Sequence, residues 1–193
     1  LLKEALKRGA TPIAVEFNPG AKDDLERLIG ERGQVHIADV RHRDAMEKVA
    51  QAAINEFGGI DVVIANAGIE CVGLTQDMPA EDFEAVVETN LLGVYRTIKP
   101  TLNSIAERGG HVLAVSSIGA LLPFTFASAY GTSKSGVDML MRILRMELSG
   151  VGATAGCAYF GFVQTPMANN LFSNPVVEKA VGRMPSRFVG LKP

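Results

Sequence analysis

Short apolar runs that alternate with helix-patterned segments constrain this chain more than any other feature. The runs are residues 11–16 (TPIAVE), 34–38 (QVHIA), 60–65 (IDVVIA), 111–116 (HVLAVS) and 154–160 (TAGCAYF). Apolar runs without strict alternation mark strands buried on both faces. Between them lie segments with helical spacing: 1–8, stopped at Gly9; 21–32; 42–57, stopped by Gly58-Gly59; 80–107; and 128–149. Strands separated by helices demand right-handed crossovers and a parallel sheet. The expected fold is therefore α/β, a doubly wound parallel sheet of the Rossmann-like kind, in one domain over residues 1–193. In such sheets ligands bind outside the carboxyl ends of the strands, so the residues after each run are the candidates for chemistry.

Glu16 ends the first run. In a dinucleotide-binding fold an acid there accepts both adenosine ribose hydroxyls and repels a 2′-phosphate. Positions 17–21 hold no Arg or Lys that would favour NADP. A solvated strand-end charge is the alternative. Asp39 and Val40 follow the next run. They can meet an adenine ring, or Asp39 can simply cap the helix that follows. Asn66-Ala67-Gly68 follows IDVVIA, and small residues there let the backbone approach a flat ligand. Asn66 can bond neighbouring strands, touch substrate, or both.

Asn90 and Gly93 inside 80–107 predict a local kink that frees a carbonyl for a water near Lys134; a solvent-facing Asn is the plain alternative. Ser116 and Ser117 end HVLAV, and one hydroxyl should reach the crevice. Gly161, Phe162, Val163 and Thr165 follow the last run and offer backbone groups and a hydroxyl to a nicotinamide carboxamide.

Tyr130 and Lys134, in SAYGTSKSG, are four residues apart, which puts both side chains on one helix face. A cation beside a phenol favours the phenolate, and a phenol that ionises near neutral pH can pass a proton to or from an alcohol oxygen. Ser117, thirteen residues upstream at a strand end, can hold the same oxygen. Tyr95 and Lys99 repeat the spacing, but Asp82 stands thirteen residues before Tyr95 and no strand ending in Ser precedes it. That second pair is expected on ordinary helix surface.

Composition narrows the classes. A formal charge of −2, with 47% hydrophobic and 21% charged residues, gives no electrostatic case for nucleic acid or an anionic membrane. His36, His42, His111, Cys71 and Cys157 lack metal-ligand spacing, and the cysteines are expected as free thiols. No apolar run reaches the length of a membrane span, and the first residues do not read as a signal peptide. A cytoplasmic enzyme or binding protein is the expectation.

In order and spacing, Glu16, Asp39-Val40, Asn66-Ala67-Gly68, Asn90, Ser117, Tyr130-x-x-x-Lys134 and Gly161-Phe162-Val163-Gln164-Thr165-Pro166-Met167 resemble the short-chain dehydrogenase/reductase family, non-extended type. The resemblance implies an NAD(P)-dependent oxidoreductase that interconverts an alcohol and a ketone or aldehyde. Tyr130 would be the general acid/base. Lys134 would lower its pKa and bind the nicotinamide ribose, Ser117 would orient the substrate oxygen, and Asn90 would support a relay water.

Cofactor contacts are implied for Glu16, Asp39, Val40, Asn66, Ala67, Gly68, Tyr130, Lys134, Gly161, Val163 and Thr165, with NAD preferred over NADP through Glu16 and no metal. A homo-oligomer, tetramer or dimer, would use helices 80–107 and 128–149. Leu121, Leu122, Pro123, Phe124 and Phe126, with Phe160, Phe162, Leu171 and Phe172, fit a hydrophobic substrate such as a terpenoid, a steroid or an acyl chain, or else belong to the core. The competing reading is a non-catalytic dinucleotide-binding or interaction protein on the same fold, which has no need of Ser117, Tyr130 and Lys134 together. An enoyl reductase relative would space Tyr and Lys more widely.

The sequence departs from the family pattern at its start. Family members open with a strand and a Gly-rich turn that cradles a pyrophosphate on a helix N-terminus. This sequence opens partway along that helix and stops at Leu191-Lys192-Pro193, before the family's last strand. It is expected to be incomplete at both ends, with a sheet that lacks a middle member. The glycines of 150–156 follow a helix and enter a strand, the wrong order for phosphate binding. Phe160 stands before Gly161 where the family usually has Pro.

Overall fold

The computed structural model describes residues 1–161 and 163. Helix α1 (Leu2–Lys7) leads into strand β1 (Ile13–Glu16), α2 (Lys22–Ile29), β2 (Gln34–Ile37), α3 (Arg43–Phe57) and β3 (Val62–Ala65). A long helical stretch follows as α4 (Ala80–Val87), α5 (Gly93–Ile98) and α6 (Leu102–Glu107), then β4 (His111–Ser117), α7 (Ser128–Ser149) and β5 (Thr154–Phe160). Helix ends fall where the glycines stand: Gly9 and Gly58 adopt φ of +77° and +75°, a left-handed turn that side chains disfavour.

The expected single helix over 80–107 is interrupted twice. Between α4 and α5, Glu88–Leu92 forms a π turn in which the Gly93 N–H donates to the Glu88 carbonyl. Between α5 and α6, Lys99–Thr101 tightens to a 3₁₀ turn around Pro100, which has no N–H to donate.

Every strand pairing is parallel, as the alternation of elements requires. Ile13 of β1 sits opposite Gln34 of β2, Val62 of β3 opposite His111 of β4, and His111 opposite Thr154 of β5. The strands form two sheets, however, β1–β2 and β3–β4–β5. Both β1 and β3 line one cleft of about 2790 Å³. The cleft runs between the two sheets. The halves meet through α3 against α5 and through Val40, after β2. A Cβ on Gly93 would come within 2.7 Å of Val40 Cγ2, so the bare glycine is what lets the β2 loop close on the helical stretch.

The main core lies on one face of β3–β5. Val63, Ala65, Val112, Ala114 and Ala155 pack there with Val94, Ile98, Ile105, Val137, Met141 and Leu144 from the helices. Burial on both faces was the expectation, and β3 departs from it: Val62 and Ile64 are 56% and 40% exposed. They line the cleft, so the second face of this strand is open among the described residues.

Candidate active site

The carboxyl end of β4 presents two serines with opposite fates, because successive side chains of a strand point to opposite faces. Ser116 is 2% exposed and donates to the Lys134 carbonyl at 3.2 Å, tying β4 to α7. Ser117 is half-buried at the cleft; its hydroxyl accepts from the Gly119 N–H at 3.1 Å and caps the turn Ile118–Ala120. A Cβ on Gly119 would lie 3.5 Å from Ser117 Oγ and 3.7 Å from Tyr130 Cε1, so this glycine stands beside both side chains.

Tyr130, half-buried on the first turn of α7, lines the same cleft. Lys134, one turn on, is 3% exposed. Its ammonium donates to the Val115 carbonyl at 2.8 Å and lies 5.7 Å from the centroid of the Tyr130 ring. One carbonyl is a poor substitute for water, and burial pushes the Lys134 pKa down to about 8. Tyr95 and Lys99, the pair with the same spacing, are both exposed, as their context predicts.

Asn90 lies in the π turn and is 0% exposed, which overturns the solvent-facing alternative. Its Oδ1 accepts from the Ile69 N–H at 2.8 Å, and Nδ2 donates to the Ile69 carbonyl at 2.9 Å and to Ser133 Oγ at 3.2 Å. Ser133 in turn donates to the Tyr130 carbonyl at 2.7 Å. The loop after β3, the π turn and the start of α7 are thus joined by side chains. Ser133 was missed in the sequence, although it stands three residues from Tyr130 on the same helix face. Gly68 sits at the junction: a Cβ there would lie 3.3 Å from Asn90 Oδ1 and 3.5 Å from Lys134 Nζ.

The far side of the cleft carries the other strand-end residues. Glu16 ends β1, and its Oε1 accepts from the Asn18 N–H at 2.9 Å. Asp39 does not cap α3, whose N-cap is His42. It accepts from the Arg41 N–H and grips the Arg41 guanidinium, which lowers the carboxyl pKa. Arg41 lies over the Phe17 ring, 5.8 Å from its centroid.

Asn66 is exposed on the cleft, and among the described residues its side chain bonds no strand. Ala67, Gly68, Val40, Gly161 and Val163 line the cleft as well. Phe162, Gln164, Thr165, Pro166, Met167, Leu171 and Phe172 lie outside the described residues. Cys71 and Cys157 are free thiols. Among the described residues no His, Cys, Asp and Glu cluster could hold a metal, and no helix is long and apolar enough to cross a membrane.

Comparison with known proteins bears on the family and the fold. Residues 1–175 match the family model described as short chain dehydrogenase. A 3-oxoacyl-[acyl-carrier-protein] reductase of Thermotoga maritima is 31% identical over 186 residues, covering 93% of this chain and 74% of that protein. A 3beta-hydroxysteroid dehydrogenase of Eggerthella lenta is 29% identical over 177 residues, covering 89% of this chain and 67% of that protein. The crystal structure of a levodione reductase superposes with a TM-score of 0.84 at 25% identity, over 93% of this chain and 73% of that one.

Proposed function

We propose that this chain, which belongs to the short chain dehydrogenase family, interconverts an alcohol and a ketone or aldehyde on a hydrophobic small molecule, with NAD as cofactor. The observation that carries the reading is the meeting of Ser117, Tyr130 and buried Lys134 at the carboxyl end of β4. When bound, the nicotinamide supplies or accepts the hydride. Tyr130 gives a proton to the carbonyl oxygen on reduction and takes it back on oxidation. Ser117, anchored through Gly119, holds that oxygen.

The Lys134 ammonium stabilises negative charge on the phenol oxygen as the proton leaves, and its remaining N–H groups would hold the nicotinamide ribose of a bound cofactor. Asn90 is a positioning residue, since its carboxamide is engaged by Ile69 and Ser133. The π turn leaves carbonyls without their usual donors, and one of these can hold a relay water.

The cleft residues fit the two ends of a dinucleotide. Gly68 leaves a bare cradle beside Lys134, and Glu16 offers a carboxylate at the end of β1 for the adenosine ribose. Asp39 and Val40 flank the adenine side. Glu16 favours NAD, so Glu16→Arg should move the NADH-to-NADPH affinity ratio toward NADPH; an unmoved ratio in fluorescence titrations would count against the ribose role. On α7, Met139, Ile143 and Met146 are 57%, 47% and 77% exposed at helical spacing. A second copy covering this stripe makes a homo-oligomer, and a monomer throughout in sedimentation would exclude it.

The central test is NADH oxidation by the full-length protein with a panel of hydrophobic ketones. The acyl-carrier reductase and the hydroxysteroid dehydrogenase among its relatives favour a carbonyl on an apolar skeleton. NADH binding without turnover of any member would point to a binding protein instead.

A further inference from the structure

The loop after β3 is held at two points of unequal strength. At one, the fully buried Asn90 carboxamide takes both the N–H and the carbonyl of Ile69 and also donates to Ser133. At the other, Gly73 makes an isolated parallel bridge to Ala127, its N–H donating to the Phe126 carbonyl at 3.0 Å. This second point joins the loop to the segment 118–127 that leads from β4 into α7.

Three costs gather at the second point. Phe126, at φ +73°, is the non-glycine residue with positive φ among those described, in a region that side chains disfavour. Glu70 Oε1, three residues before Gly73, and Ser128 Oγ, two residues after Phe126, are buried with no hydrogen-bond partner. An unmet buried polar atom costs more than one backbone hydrogen bond returns. Parting the two segments at Gly73 gives up that bond, lets water reach both atoms and relieves the Phe126 backbone. A joint that stays shut against such costs lies near balance, which is the mark of a locally opening segment.

We propose that the Gly73–Ala127 joint is a gate on the cleft, latched while Glu70 is protonated and released when that carboxyl ionises. Opening frees residues 70–73 from the segment that brings Leu121, Leu122 and Phe124 to the cleft beside Ser117 and Tyr130. The gate thus controls how an apolar molecule reaches Tyr130. Ile69 stays on Asn90, so the hinge falls between Ile69 and Glu70 and the Asn90–Ser133 link is undisturbed. The titratable groups around Glu70 are Cys71 on the same loop, Asp82 of α4 against Cys71, and Tyr130 and Lys134 of α7, the last with its ammonium on the Val115 carbonyl. Burial, not one of these, pushes the Glu70 carboxyl above its ordinary 4.5. The shut joint therefore binds this proton more tightly than the open one. The latch is strongest below the ordinary value and weakens as pH rises through the raised one.

The test is amide hydrogen exchange of the full-length protein in heavy water from about pH 5 to 8, each rate divided by that of the same amide in an unfolded peptide so that opening alone is read. Across that range the Gly73 N–H should lose about tenfold in protection, one pK unit being tenfold, while the Ile69 N–H on Asn90 stays within about twofold. In Glu70→Gln, which cannot ionise, Gly73 protection should not change with pH. Flat Gly73 protection in the wild-type protein, which needs no variant to fold, overturns the gate. So does a pH dependence that Glu70→Gln leaves unmoved. An equal loss at Gly73 and Ile69 overturns it too, because the whole site would then open as one. The readout needs no turnover, so each outcome leaves the alcohol–ketone reading to its own test.

Discussion

Two Tyr-x-x-x-Lys pairs lie on helical turns of this chain, and their surroundings make them different objects. Tyr95 is 48% exposed and Lys99 is also open to solvent. Tyr130 is half-buried and Lys134 is 3% exposed, with its ammonium on the Val115 carbonyl. Spacing puts two side chains on one face but does not say what covers that face. For Lys134 the cover is β4, the bare backbone at Gly68 and the Asn90–Ser133 link. Burial then turns an ordinary ammonium into one that is poorly solvated and held beside a phenol.

The comparison breaks most sharply under Tyr130→Phe. Turnover should fall about a thousandfold, within the range of lost acid–base catalysis, while Tyr95→Phe stays within about twofold. Steady-state rates with one ketone check both, and substantial activity in Tyr130→Phe would end its proposed role. Asn90→Ala comes next. It removes three hydrogen bonds and strands the Ile69 N–H and carbonyl, so chemical denaturation should reveal a loss of about 3–4 kcal/mol. A midpoint unchanged from wild type would show that the link does not hold the site together.

Lys134 sharpens the contrast through pH. Its pKa in the folded chain is about 8 against an ordinary 10.5, so between those values the unfolded chain keeps a proton that the folded chain has lost. Wild-type stability relative to Lys134→Met should therefore rise with pH across that window, by up to about 3 kcal/mol. The burial penalty is fully present below the window. Denaturation curves from about pH 7 to 10 measure it, and a difference that is flat or falls with pH would contradict it. The smallest effect belongs to Gly68→Ala. Its Cβ would press on Asn90 Oδ1 at 3.3 Å and stand in ordinary contact with Lys134 Nζ at 3.5 Å. About a tenfold loss in kcat/KM is expected from the displacement, against less than twofold for Gly150→Ala, which meets nothing within 4 Å.

Much of the architecture was legible because it is encoded locally. Apolar runs and helical spacing located β1 to β5 and α7, and glycines at 9 and 58 ended helices by their left-handed backbone. The kink at Asn90 and Gly93 was legible for the same reason, since both residues weaken a helix. Its form as a π turn was not, and neither were the partners of its Asn90, Ile69 and Ser133, which stand far along the chain. Asp39 read equally as a cap or an adenine contact, and the structure gave it to Arg41, two residues away. Nothing in the sequence singled out Ser133; its partner Asn90 stands 43 residues away.

By itself the sequence determined which residues stand at strand ends, which share a helix face, and which Tyr–Lys pair follows a strand that ends in Ser. These are matters of period and order, and backbone geometry settles them within one element. Tertiary structure alone decided that Lys134 is desolvated, that Ser116 turns inward while Ser117 faces the cleft, and that Glu70 and Ser128 are buried without partners. Those outcomes depend on what packs against a side chain from far along the chain, and burial, which sets the cost of a charge or an unmet hydrogen bond, exists only once the elements have met.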